Sequence, residues 1–287
     1  VKPTNIIAIM NESWTDYSYT GDLQTDVDPM PYYHSMKEDT IKGYSLVEIT
    51  GGGTAKTEYE FLTGNSIKRF PSMVPYVSYF THEQYSMAKT LKAQGYTHLA
   101  MHPYKGSNWK RPQAYQLMGF DEFYAIEAFD EDTDQIRGFV SDRGNYEKII
   151  EVVEERNAAG ESVFLFDITM QNHGGYTEES YEPAVKLENF NADDKKDQEE
   201  AEQFLSLQKD TDDALEYLIE YFKNADEPTL ILVFGDHYPS LPDSFTEYIS
   251  GAAYDDLPFE EQIRYYSCPF LIWANYDIPE AEGIQTS

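Results

Sequence analysis

The chain has 287 residues, a length that fits one α/β domain with appendages better than two average domains. Its 21 Lys and Arg stand against 52 Asp and Glu, a formal net charge of −31, which argues against any function that holds nucleic-acid phosphates on cationic patches. Aromatic residues reach 15%, enough for a substantial core, and the single cysteine, Cys268, excludes an intrachain disulfide framework and a cysteine-rich zinc site.

No run approaches the roughly 18–20 apolar residues of a membrane span. Val1 is followed by Lys2 and Pro3, with neither an initiator Met nor a signal-peptide pattern, and reads as the start of a fragment or a processed form. In chain order, Ile6–Met10 is an apolar run of strand length that ends in Asn11-Glu12-Ser13. A glycine run, Gly51-Gly52-Gly53, then leads through Thr54 into a helical pattern at Thr57–Thr63, and a second helix is expected over Tyr85–Gln94. The strand Thr97–Met101 ends in His102-Pro103. The helix Tyr146–Arg156 precedes the strand Val163–Met170, which ends in Gln171-Asn172-His173-Gly174. The long helix Gln198–Asn224 precedes the strand Thr229–Phe234, which ends in Gly235-Asp236-His237. Phe270–Ala274 closes the series. Near-continuous apolar strands alternating with helices predict a three-layer α/β/α fold around a mostly parallel sheet. Residues 1–240 read as the core and 241–287 as a small C-terminal subdomain completing the same domain. The acidic stretches Asp121–Asp134 and Asn191–Glu202 read as solvated segments without calcium-loop spacing.

Ligands of open α/β sheets sit at the carboxyl ends of the strands, so four polar strand endings predict a single site. Thr54 falls where a helix begins, among free backbone N–H groups suited to phosphate or sulfate. The plainer reading is that Thr54 caps the helix, with Thr57 and Glu60 forming a capping box. Glu12, Thr54, Asp236 and His237 together supply three oxygens and one nitrogen, a set that suits Mn²⁺ or Mg²⁺. A metal beside the Thr54 hydroxyl lowers its pKa and makes it a nucleophile.

The segment from Thr54 through Leu62-Thr63-Gly64 is similar to the sulfatase motif, with Thr where a sulfatase has an oxidisable Cys or Ser and Glu58 where it has Arg. That departure resembles the lipoteichoic acid synthase and phosphoglycerol transferase branch of the alkaline phosphatase/sulfatase superfamily. Asn11-Glu12-Ser13, Thr54 with Glu58, His102 with Trp109-x-Arg111, Gln171-Asn172-His173-Gly174 and Phe234-Gly235-Asp236-His237 follow that family's order from about Asn5 to Pro239.

The resemblance implies a sulfatase-like fold and one Mn²⁺ ion, with Mg²⁺ as the alternative, held by Glu12, Thr54, Asp236 and His237. It implies that Thr54 attacks a phosphatidylglycerol-type lipid, releases diacylglycerol and passes glycerophosphate to a cell-envelope acceptor: a glycan, a glycolipid or a glycerophosphate polymer. His102, Trp109, Arg111 and His173 would hold the glycerophosphate. Lys56, Lys105, Asp142 and Arg143 are further candidates for the lining, while His34, His82 and His98 have no motif context. The family layout also implies a membrane anchor upstream and a catalytic domain on the extracellular face of a bacterial membrane. The alternative is a phosphodiesterase or sulfatase of the same superfamily that uses water as acceptor.

Overall fold

The computed structural model describes residues 1–69, 74–191 and 195–286. Ten strands are formed in them: β1 (Asn5–Asn11), β2 (Thr40–Leu46), β3 (Tyr96–Met101), β4 (Glu122–Tyr124), β5 (Gln135–Ile136), β6 (Phe139–Val140), β7 (Ser162–Ile168), β8 (Thr229–Gly235), β9 (Ser267–Ala274) and β10 (Ala281–Thr286). Eight build one sheet in the order β10-β2-β9-β8-β1-β7-β3-β4, and β5 and β6 pair as a separate hairpin. β9 runs antiparallel to both β2 and β8, and the other neighbouring strands of the sheet are parallel.

Both faces of the sheet are covered, which is why its central strands read as apolar runs rather than as alternating ones. Side chains of successive strand residues point to opposite faces. Ile7 and Ile9 of β1 pack with Ile149 and Val153 of the Asp142–Ala158 helix and Leu215 and Leu218 of the Lys195–Lys223 helix. Ala8 and Met10 pack on the other side with Ala55 and Leu62 of the Thr54–Thr63 helix and Ala114 and Met118 of the Arg111–Met118 helix. Each fully buried Ile or Leu contributes about 1.5–3 kcal/mol relative to an exposed one. The Lys195–Lys223 helix serves two cores, since Phe204 and Leu205 of its first half join Tyr17, Tyr238, Phe245 and Tyr265 in a third cluster. Within 241–287, β9 is an inner strand of the central sheet, and the Asp243–Ser250 helix packs into the third cluster through Phe245 and Ile249.

The helix expected at Tyr85–Gln94 is confined to Met87–Lys92, with Ser86 as its cap. Those expected at Tyr146–Arg156 and Gln198–Asn224 extend over Asp142–Ala158 and Lys195–Lys223. Within the acidic stretch Asn191–Glu202, residues 192–194 lie outside the described residues. The capping box expected at Thr57 and Glu60 is not formed. The helix starts three residues earlier, with Gly53 as its N-cap, so Thr57 lies within it and donates its hydroxyl to the Asp236 carbonyl at 2.6 Å. Glu60 instead accepts from the Ile67 N–H at 2.8 Å.

Candidate active site

The parallel register of β1 and β8 pairs Asn11 with Gly235, so the next residues, Glu12 and Asp236, leave the sheet side by side. The approach requires glycine at 235, because a Cβ there would lie 2.1 Å from the Trp14 carbonyl oxygen. The third component arrives from the Gly51–Gly53 turn, which is stitched to the end of β8 by Gly51 N–H donating to the Tyr238 carbonyl at 2.7 Å. Thr54, first residue of its helix, makes no capping bond and donates its hydroxyl to Glu12 Oε2 at 3.3 Å.

Asp236 Oδ1 accepts the Ser13 and His237 N–H groups, both at 2.8 Å. Its other oxygen, Oδ2, lies 3.2 Å from His237 Nε2, and neither atom has a hydrogen-bond partner although both are buried. His237 Nδ1 is 3.0 Å from the Tyr238 carbonyl oxygen, to which it donates, so the neutral ring presents a lone pair at Nε2. Glu12 Oε1 is 3.6 Å from the same nitrogen, while Ser13 Oγ donates to it at 3.0 Å. One ligand atom from each of Glu12, Asp236 and His237 falls within 4.8 Å of the others. Burial, and then the Glu12 charge, push the Asp236 carboxyl above its ordinary value. Burial opposes a charge on His237, but Asp236 and Glu12 outweigh it and raise its pKa. Orphaned, buried acceptors facing one another are what a divalent cation satisfies, and oxygens with one imidazole suit a hard or borderline ion.

The sulfatase family matches the chain over residues 4–287. The chain belongs to that family. Among its relatives, a Rhizobium meliloti protein named for cyclic beta-1,2-glucan modification is 29% identical over 282 residues, 96% of this chain and 42% of the relative. The chain thus spans less than half the length of the curated relatives it matches. The fold is similar to that of the Streptococcus pyogenes phosphoglycerol transferase GacH, solved with sn-glycerol-1-phosphate, at a TM-score of 0.77 and 23% identity over 96% of this chain and 70% of that one. It is also similar to the lipoteichoic acid synthase LtaP of Listeria monocytogenes, at a TM-score of 0.76 and 18% identity over 98% of this chain and 68% of that one. The three-layer sulfatase-like architecture is that of the family. Among the described residues no helix is long and apolar enough to cross a membrane.

In this sulfatase-family chain the other expected residues lie at the ends of β3 and β7 and on the segment after β3. His102 follows β3 directly, is buried, and its Nδ1 donates to the Ile168 carbonyl at the end of β7 at 2.9 Å. Burial first, and then the Arg111 charge, hold its pKa well below the ordinary histidine value, so the ring is neutral with Nε2 as acceptor. Arg111, 2% exposed, is committed to Glu58 through Nε at 3.2 Å and Nη2 at 3.0 Å, and Tyr115 donates to the same carboxylate at 2.6 Å. Glu58 and Thr54 are four residues apart and share one side of their helix. Arg111, expected to hold the glycerophosphate, is therefore already engaged along one edge of its guanidinium. Trp109 lies against the guanidinium, 4.6 Å from ring centroid to Arg111 Cζ, on a backbone held at φ 54°. His173 is exposed on the loop after β7, its ring 5.6 Å from that of Phe139.

Lys105 is exposed and Lys56 is half-buried on the Thr54–Thr63 helix. Asp142 lies in the core, where Thr211 donates to it at 2.6 Å, and Arg143 faces outward against Tyr217 and Glu147. Ser13 and Glu58 carry no assigned role in the sequence, although each sits within a quoted motif, which is the available signal. Thr57, expected in a capping box, instead bonds the Asp236 carbonyl. Arg137 and Tyr176, which bond the loop after β7, lie outside those motifs.

Proposed function

We propose that this chain is the catalytic unit of a metal-dependent phosphoglycerol transferase. The observation that carries the reading is the convergence of Thr54 on Glu12, Asp236 and His237, with Asp236 Oδ2 and His237 Nε2 left as buried, unpartnered ligand atoms. GacH and LtaP, which share the fold, support the reaction class by their names. Glu12, Thr54, Asp236 and His237 would hold one Mn²⁺, or Mg²⁺, which when bound supplies Lewis-acid stabilisation of charge on the phosphoryl oxygens and lowers the pKa of the threonine hydroxyl.

In this reading Thr54 Oγ attacks the phosphorus of a phosphatidylglycerol-type lipid. Thr54 gives up its hydroxyl proton, the bond to the diacylglycerol oxygen breaks, that oxygen takes up a proton, and glycerophosphate remains as an ester on Thr54. An acceptor hydroxyl of a cell-envelope glycan, glycolipid or glycerophosphate chain then loses its proton and displaces Thr54, whose oxygen takes a proton back. Phosphoryl transfer needs positioning and charge stabilisation above all. The Arg111 edge not taken by Glu58, Nη1, supplies charge, Trp109 an apolar wall for the glycerol, and His173 a hydrogen bond. Neutral His102 offers Nε2 for proton transfer. A lipid donor calls for a tether to the outer face of the membrane, because a chain of net charge −31 is repelled by an anionic bilayer.

The test is mass spectrometry of the Thr54 peptide after incubation with phosphatidylglycerol and Mn²⁺, against a chelator control. The expected result is a metal-dependent glycerophosphate adduct on Thr54 with release of diacylglycerol. Diacylglycerol release that survives in Thr54→Ala would refute the covalent step and favour direct attack by water.

A further inference from the structure

The β5–β6 hairpin pairs Ile136 with Phe139 and turns through Arg137 and Gly138, at φ 55° and 78°. Two central residues at positive φ are what a type I′ turn requires, and Asn-Gly is the sequence that adopts it most readily. Glycine fills the second position. The first holds an arginine in a conformation that ordinary side chains rarely adopt. Strain of this kind persists where surrounding contacts over-determine it, and it points to a function for the residue so held.

Those contacts are on the loop that follows β7. Arg137 Nη2 donates to the carbonyls of His173 at 3.1 Å and Gly175 at 2.9 Å, and Nη1 reaches the Gln171 carbonyl at 3.5 Å. The guanidinium also lies against two rings, with Cζ 5.2 Å from the centroid of Tyr176 and 6.0 Å from that of Phe139. Tyr176 closes the same loop from inside by donating to the Asn172 carbonyl at 2.9 Å, and Phe139 packs against the His173 ring. Gln171, His173 and Gly175 alternate along five residues that include the pair Gly174-Gly175, the latter at φ 94°, a stretch with little conformational preference of its own. A planar, permanently charged group spreads its donors in fixed directions over three carbonyls in this way, whereas a lysine offers its three donors from a single point.

We propose that Arg137 is a positioning residue: from the hairpin turn it fixes the Gln171–Tyr176 loop and so sets where His173 meets the substrate. The inference about catalysis rests on the assignment of His173 to the glycerophosphate site. The inference about the loop does not.

The experiment compares the wild-type chain with Arg137→Asn, Arg137→Lys, His173→Ala and the double variant Arg137→Asn/His173→Ala. Asparagine suits the turn better than arginine, so the hairpin and the melting temperature are retained while the grip on the loop is lost. Expected are faster hydrogen exchange at the His173 and Thr177 amides, which bond to Met170 and Gly175 within the loop, and a fall in kcat/KM for phosphatidylglycerol of about 10- to 100-fold, the scale of a misplaced binding group. Arg137→Lys should recover only a minor part of that loss. In the His173→Ala background the same change should add little, because the two residues act as one unit.

Unchanged exchange in Arg137→Asn overturns the proposal whatever the activity does. So does a full, additive loss of kcat/KM on top of His173→Ala, which would mean that Arg137 acts on substrate by itself, or a loss of activity matched by a collapse in melting temperature. If the wild type itself releases no diacylglycerol, the phosphoglycerol transferase reading fails, while the exchange data still decide whether Arg137 holds the loop.

Discussion

Asp236 and Glu58 are equally buried, each at 0% exposure, and the helix that begins at Thr54 carries Glu58 and donates to the Asp236 carbonyl through Thr57. Glu58 is closed: Arg111 neutralises it along a two-pronged edge and Tyr115 adds a third donor. Asp236 is open: one oxygen takes two backbone N–H groups, and the other faces an imidazole nitrogen with no hydrogen bond between them. Burying a charge is costly unless it is paired, and the two carboxylates meet that requirement differently. Glu58 meets it from within the chain and holds the guanidinium beside the site. Asp236 leaves its requirement to a ligand, which marks the place where one belongs.

The largest expected effect tests the open cluster. Thr54→Ala should lower transfer by at least about 10³-fold, in line with loss of a nucleophile, and shift the melting temperature little, because the Thr54 hydroxyl makes one long hydrogen bond. Retained turnover would show that the opening at Asp236 serves something other than threonine chemistry. The closed cluster should respond in stability. Glu58→Gln leaves the Arg111 charge buried without a counter-charge and should cost about 3–5 kcal/mol, a drop of roughly 10 °C by calorimetry. A drop of only a degree or two would mean that the pair is no more than a bystander.

Third, metal should discriminate between the two clusters. Mn²⁺ at about a hundred times its dissociation constant should stabilise the chelated wild type by about 2.7 kcal/mol in thermal unfolding. It should do so in Glu58→Gln as well, but not in Asp236→Asn or His237→Ala.

The smallest effect concerns a carboxylate held by two backbone N–H groups. Asp212 accepts the Tyr32 and Tyr33 N–H groups at 2.6 and 2.9 Å, yet burial prevails and pushes its pKa up to about 6. A folded-state pKa above the ordinary carboxylate value favours the fold while the group is protonated, and that contribution fades as pH rises from about 4 through 6. The unfolding free energy of the wild type relative to Asp212→Asn should therefore fall by on the order of 1 kcal/mol per pH unit across that window. A flat difference would show that the two N–H bonds fully offset the burial.

Much of this was readable from residues that punctuate the strands. β1, β7 and β8 are covered on both faces, so they stand out as apolar runs, and the polar groups that follow them are conspicuous. β2 was missed for the opposite reason: Thr40–Leu46 carries Lys42 and Gly43 and has no apolar run, although Lys42 is buried with its ammonium on the Tyr33 and His34 carbonyls. The metal-ligand candidates could be named because Glu12, Asp236 and His237 follow the ends of strands and Thr54 begins a helix. The engagement of Arg111 could not, because Glu58 is 53 residues away and only the packing of two helices on one sheet face brings them together. Arg137 was less visible still. Its partners are backbone carbonyls, which every residue possesses, so no side-chain pattern announces them.

The sheet order also has a consequence for biosynthesis. β1 leaves the ribosome well before its neighbour β8, which begins at Thr229, and before β9, which covers the far edge of β8 and ends at Ala274. The threonine helix is therefore made long before Asp236 and His237 exist, and the pocket assembles only when most of the chain has emerged. A product that stopped short of β9 would carry every residue assigned to the active site and yet expose the apolar edge of β8, an invitation to pair with another chain. Loss of the last strands should thus show itself first as aggregation, ahead of any defect in chemistry.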